Sequence, residues 1–180
     1  MHLMKTDFIF EKSQDDKFNF SDQDLIELKA YGLSLNNDTT RPFLILKDQS
    51  GDFTLPVGIS QIEAGVTLAQ NNAHQFNSTP HAFLEKLISS LDIVVEKCVF
   101  SEIIGHHQFV RLFMKGHPQY QSFKIRADEA MSLCLHLKIP FFATKNFIHK
   151  SKIMSTKLTE QCSDVSFQQL AAPGKREFFH

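Results

Sequence analysis

Twice this chain passes from a strand-like apolar run straight into a helix start, and that ordering constrains its fold more than any other feature. The first passage is Leu55-Pro56-Val57-Gly58-Ile59 followed by Ser60-Gln61-Ile62-Glu63, which has the spacing of a capping box. In such a box the Ser hydroxyl and the Glu carboxylate each satisfy an amide donor left orphaned at the helix start. The helix is expected to run to about Gln70. The second passage is Ser122 to Arg126, read as a strand, followed by Ala127-Asp128-Glu129-Ala130-Met131. Asp128 and Glu129 complement the positive end of the helix dipole there, and Ala130, Met131, Leu133, Cys134 and Leu137 form the apolar face. Ile139-Pro140-Phe141-Phe142 then reads as a short terminal strand, with Pro140 marking the break.

The rest of the chain fits around these passages. Ile26, Leu28 and Ala30 alternate as in a strand, Asn36 to Thr40 make a polar turn, and Phe43 to Leu46 read as a more buried strand. Asp48 to Asp52 turn the chain into Phe53 to Val57. Thr79 as a cap and Pro80 at the first helical position announce a second helix, with Phe83, Leu84, Leu87, Ile88 and Leu91 on one face. Ile93 to Phe100 and Phe109 to Met114 are strand candidates around the loop Gly105-His106-His107. Strands, two helices, strands, a helix and a strand predict an α+β domain, a mixed sheet with about three helices. The domain is expected over residues 25–154, after an extension (1–24) whose Phe8-Ile9-Phe10 and Phe18-Asn19-Phe20 could add a hairpin or a partner contact. A weakly periodic tail (155–180) follows.

A formal net charge of −1 carries no overall footprint of a polyanion partner, so nucleic acid would need a local basic strip. The densest is Lys145, His149, Lys150, Lys152 and Lys157, interleaved with Phe147, residues that a solvated helix or tail explains better, since exposed Lys is the default on a surface. Cys98, Cys134 and Cys162 are odd in number and widely spaced, which argues against a disulfide framework or a zinc knuckle and for a reducing compartment. With no apolar run of the length a signal peptide or membrane span needs, a soluble cytoplasmic protein is expected. Eighteen Phe against no Trp give large side chains with no polar atom to satisfy, and self-association, most simply as a dimer, is a further expectation.

Leu55-Pro56-Val57-Gly58-Ile59-Ser60-Gln61-Ile62-Glu63-Ala64 resembles a strand-to-helix stretch of the bifunctional nuclease domain family, written Leu-Pro-Ile-x-Ile-Gly-x-x-Glu-Ala. Arg126-Ala127-Asp128-Glu129-Ala130-Met131-Ser132-Leu133, running on to Pro140, is similar to its Arg-Pro-Ser-Asp-Ala-Ile-Ala-Leu-Ala segment. The likeness extends from Leu25 to Met154 and includes Arg41-Pro42-Phe43-Leu44-Ile45-Leu46-Lys47. It implies hydrolysis of DNA or RNA phosphodiesters with help from Mg2+ or Mn2+, and no organic cofactor. Two departures stand out. His81 is kept, but Ala82 replaces the Asp that follows it in the family's Arg-Pro-Leu-Thr-His-Asp, and Ala127-Asp128-Glu129 replaces Pro-Ser-Asp. A regulatory or protein-interaction module on the same scaffold is therefore the alternative reading.

The candidates for chemistry are Glu63, His81, Arg126 and Glu129, with Asp128 and Glu129 as metal ligands. Arg126 is the strongest anion binder, because a guanidinium offers a bidentate fork. Each residue also has a structural explanation: helix capping for Glu63, dipole complementarity for Asp128 and Glu129, an internal ion pair for Arg126, and solvent exposure for His81. At a helix start His81 would have a lowered pKa and act as a neutral base or ligand. His106 and His107, being adjacent, point to opposite sides and rarely share an ion. No Gly-rich phosphate loop or His-Glu-x-x-His helix is present. Convergence of Glu63, His81, Arg126 and Glu129 on one cleft would favour the enzyme, and scattering into caps and ion pairs the module.

Overall fold

A computed structural model of the chain describes residues 24–35, 41–71, 79–118, 120–155 and 163–166. The elements are β1 (Leu25–Leu35), β2 (Phe43–Lys47), β3 (Thr54–Gly58), α1 (Gln61–Asn71), α2 (Pro80–Ser90), β4 (Val94–Ile104), β5 (His107–Lys115), β6 (Ser122–Arg126), α3 (Ala127–His136), β7 (Phe141–Thr144), α4 (Lys145–Ser155) and β8 (Ser163–Ser166). Most of the extension and tail, the Asn36 to Thr40 turn, Lys157 and Cys162 lie outside the described residues.

The sheet runs β3-β2-β1-β7-β4-β5-β6, and β1 pairs with β8 as well. β1 is the spine: Lys29 to Ser34 pair with β2, Leu25 to Leu28 with β7, and Gly32 to Leu35 with β8. Among the described strands only β4 and β7 pair in parallel, so the sheet is mixed and the architecture α+β.

Period-two alternation divides the strands into two faces. Along β5, Val110 and Leu112 are buried, whereas Phe109, Arg111 and Phe113 point to the other side and are half-buried. The buried face continues through Leu28, Leu44, Leu46, Leu55, Val57, Cys98, Phe100 and Phe141. Against it pack Ala127, Ala130, Met131 and Cys134 of α3 and Phe147 and Ile148 of α4, in one core. Each fully buried side chain of Leu or Met size contributes roughly 1.5–3 kcal/mol. Cys98 and Cys134 meet there as free thiols, and their hydrogen bond, with burial added, pushes the Cys98 pKa well up. The sheet also curls: Gln108 Nε2 of β5 donates to the Pro56 carbonyl of β3, 2.9 Å away, and to Ser151 of α4.

The helix starts follow the local chemistry. Thr79 Oγ1 accepts from Ala82 N at 3.1 Å, with Pro80 as the first residue of α2, and Ser60 Oγ accepts from Glu63 N at 3.1 Å at the head of α1. Two helix ends use a residue other than Gly in the left-handed region. Asp92 and Lys138, both at φ 55°, close α2 and α3 through Ile93 N to Ile88 O and Ile139 N to Cys134 O, the long bond of a Schellman motif.

The structure adds to the expected pattern in two places. The helices number four among the described residues, α4 being the addition. Among its residues whose burial is described, Phe147, Ile148 and Ser151 are the buried ones, so the Lys-rich segment shows little apolar periodicity, and Phe147 packs 5.4 Å from the Phe100 ring instead of lying among the exposed lysines. The second place is α2. None of its residues is buried, and Phe83 and Leu91 are 70% and 58% exposed. It rests on α3 through His81 and Glu85, one turn apart, with Leu84 and Ile88 half-buried beside them, which leaves Phe83, Leu87 and Leu91 facing outward.

Candidate functional site

The site is built along α3. Asp128, Ser132 and His136 recur every four residues and so lie on one side of that helix. At its N-terminus two guanidiniums converge on Asp128. Arg126 donates from Nε to Oδ1 at 2.9 Å and from Nη2 to Oδ2 at 2.5 Å, a bidentate fork. Arg41, just before β2, donates from Nη2 to the same Oδ2 at 3.1 Å and to the Gly58 carbonyl at 3.2 Å. A glycine suits position 58 because Arg41 lies across it: a Cβ there would meet Arg41 Nε at 2.8 Å. The hydrogen bond to Asp128, helped by the charges of Asp128 and Glu129, raises the Arg126 pKa above its ordinary value. Glu129 Oε1 stands 3.7 Å from Arg126 Nε and is more than half exposed.

One turn further along, roughly 6 Å at the usual helical rise, the buried Ser132 joins the first turns of α1 and α2. Its amide donates to Glu63 Oε2 at 3.2 Å, and its Oγ lies 2.8 Å from His81 Nε2. At the next turn His136 Nε2 pairs with Glu85 Oε2 at 2.9 Å, and the His81 and His136 rings are 5.9 Å apart. Burial pulls the His81 pKa below its ordinary value and the neighbouring His136 acts the same way, while the Glu63 charge opposes them.

Glu63 and His81 therefore meet on Ser132, and Arg126, Asp128 and Glu129 meet one turn away on the same helix. Glu63 does not complete its capping box among these bonds; Ser60 caps the helix while the carboxylate crosses to α3. Sequence reasoning missed Arg41, Ser132, His136 and Glu85. Arg41 lay in a quoted segment, and Ser132 lies four residues beyond Asp128, the helical spacing that could have found it.

As arranged, Asp128 and Glu129 do not suit a divalent cation. Both Asp128 oxygens already accept from guanidiniums, whose positive charges would repel the ion, and among the described residues no group of three or more His, Cys, Asp or Glu could hold one.

The profile of the bifunctional nuclease domain family matches residues 44–156, well over half of the chain. The chain belongs to the bifunctional nuclease domain family. Its matched span holds Glu63, His81, Arg126, Asp128, Glu129 and Ser132, and it begins three residues after Arg41. Comparison of this bifunctional nuclease domain with curated proteins finds no match. None of its described helices is long and apolar enough to cross a membrane.

Proposed function

We propose that the row of polar side chains along α3 binds a phosphodiester of DNA or RNA and hydrolyses it. The observation that carries this reading is the convergence of Arg41 and Arg126, from distant segments, on one anionic group at the start of a helix. A phosphate taking the place of the Asp128 carboxylate would meet two guanidinium forks and the positive end of the α3 dipole. The same groups would then stabilise the charge that builds on the phosphoryl oxygens.

His81 supplies the base. Its lowered pKa keeps the ring neutral near pH 7. With Nε2–H donating to Ser132 Oγ, the Nδ1 lone pair takes a proton from the attacking water, and the resulting imidazolium returns it to the leaving oxygen; such catalysis contributes about 10²–10⁴-fold. Glu63 and Ser132 position the ring, and Glu129 trims the charge on Arg126.

The test compares wild type with an Arg126→Ala, Glu129→Gln double variant, prepared in parallel, on labelled single- and double-stranded substrates with magnesium, manganese or chelator. Cleavage by wild type that is lost in the variant is the expected result, whereas equal traces in both would mean contamination and defeat the proposal. The interaction-module reading is favoured by Asp128 already engaging both arginines and by Ala82 standing beside His81. It predicts a folded protein that cuts neither substrate under any of these conditions.

A further inference from the structure

The stripe that α2 turns outward plays no part in the polar row along α3. Phe83, Leu87 and Leu91 are 70%, 44% and 58% exposed, and Pro80 at the head of the helix is exposed as well. Steps of three and four residues place these four on one side of the helix. His81 and Glu85 bind Ser132 and His136 of α3 from a different side. No residue of α2 is buried within its own subunit, although Leu84 and Ile88 are half covered. A helix of 11 residues is marginal in water by itself and draws its stability from an apolar face packed against something. The three most exposed large apolar side chains of α2 have nothing of that kind in a single copy of the chain.

We propose that a second copy of this chain covers the stripe, with α2 packing antiparallel on the copy's α2 about a two-fold axis at Leu87. A two-fold interface has to be complementary to itself. The stripe meets that condition, because Phe83 and Leu91 stand four residues to either side of Leu87. The antiparallel copy sets Leu87 on Leu87 and Phe83 beside the partner's Leu91. The exposed parts of the four side chains present on the order of 400 Å² per copy, the size at which an apolar patch marks an interaction site. Two such patches, with the exposed Lys86, Ser89 and Ser90 at their flanks, come to roughly 1,000 Å², the lower bound for a specific interface. Charge does not oppose the contact, since a formal net charge of −1 leaves little repulsion between copies. Lys86 is the single Lys or Arg of α2, so the stripe offers an anionic membrane little to hold. The pairing stands apart from the nuclease reading, yet it bears on the same site. α2 carries His81, and a helix held between its own α3 and the copy's α2 keeps the Ser132 contact in place.

Sedimentation equilibrium of the full chain is the first test. Wild type should sediment at twice its 20.6 kDa by about 50 μM, since an interface of this size makes a micromolar dimer. Leu87→Glu, a change at an exposed position, sets two like charges on the axis and should weaken the dimer at least about a hundredfold. Disulfide trapping then reads the geometry, in a Cys162→Ser background where Cys98 and Cys134 are buried. With copper phenanthroline and oxygen, which take up the two electrons and two protons that the thiols release, Leu87→Cys should link to its own copy. Phe83→Cys should not, its two copies being about 12 Å apart along the helices and beyond disulfide reach. It should link to Leu91→Cys when those two variants are mixed. A wild-type monomer across the whole concentration range overturns the proposal, as does a dimer that Leu87→Glu leaves intact, which would place the interface elsewhere on the chain. Self-linking of Phe83→Cys would mean parallel helices and overturn the antiparallel pairing. A Leu87-dependent dimer that cuts no nucleic acid supports the pairing and counts against the nuclease reading alone.

Discussion

Replacing Asp128 with Asn tests the arginine pair at its centre, because the change keeps the shape and removes the charge. Three hydrogen bonds fall on a carboxylate whose side chain is 12% exposed. Bonds to charged groups are worth about 1.5–3 kcal/mol when desolvated. Arg41 and Arg126, however, are 37% and 39% exposed, and exposed pairs contribute only about 0–1 kcal/mol. The substituted amide would still offer one acceptor oxygen. A loss of about 2 kcal/mol follows, equivalent to a fall in Tm of roughly 4–8 °C for a chain of this size. Thermal unfolding followed by circular dichroism at low salt is the assay. The deficit should shrink in high salt, which screens the two unpaired guanidiniums. Inorganic phosphate should raise the Tm of Asp128→Asn more than that of wild type, because it fills the vacated anionic position and stabilises by mass action. A variant melting within about 1 °C of wild type would refute the reasoning, as would one indifferent to phosphate.

His81 gives a pH signature: its pKa lies below the ordinary value of about 6.5, so the acid limb of kcat/KM should be centred below that pH. Glu63→Gln removes the charge that opposes this shift and should move the limb further towards acid. The linked stability has the same sign, because protonation favours the unfolded chain, and stability should fall as pH drops below about 6.5. Gly116→Ala should cost about 3 kcal/mol or more in a urea titration, since φ is 92° and the added Cβ would stand 1.9 Å from the Asp92 carbonyl oxygen. Lys138→Gly should instead stabilise by about 0.5–1 kcal/mol, by relieving the left-handed residue that ends α3. In a Cys162→Ser background, Cys98 and Cys134 should stay unreactive towards a disulfide reagent until the protein unfolds, since both are buried and the Cys98 pKa is raised.

What could be read from sequence was chemistry that acts within a few residues. Ser60, Thr79 and Pro80 mark helix starts because a cap and its amide are three positions apart, and the structure keeps both starts. β6 runs from Ser122 to Arg126 as the residue pattern suggests. The insertion of β7 between β1 and β4 joins segments over a hundred residues apart at β1, and no local pattern records it. α4 was hidden because a polar residue, Ser151, shares its inward side with Phe147 and Ile148. The apolar stripe of α2 was visible, yet its direction was decided by the polar residues His81 and Glu85, which find partners on α3. In the site, Arg126, Asp128 and Glu129 were legible because they are contiguous. Arg41 was not, since 87 residues separate it from Asp128 and only the curl of the chain through Gly58 brings them together.

The contact between Gln108 and Pro56 has a consequence for how copies of this protein can meet. An end strand normally exposes amides and carbonyls that invite another chain to extend the sheet. β3 is such a strand, but Pro56 has no amide hydrogen to give, and its carbonyl is already taken from within the same molecule. Fibre-like growth from this end would have to break that internal bond and accept a gap in the new ladder, so the sheet is terminated by its own side chain.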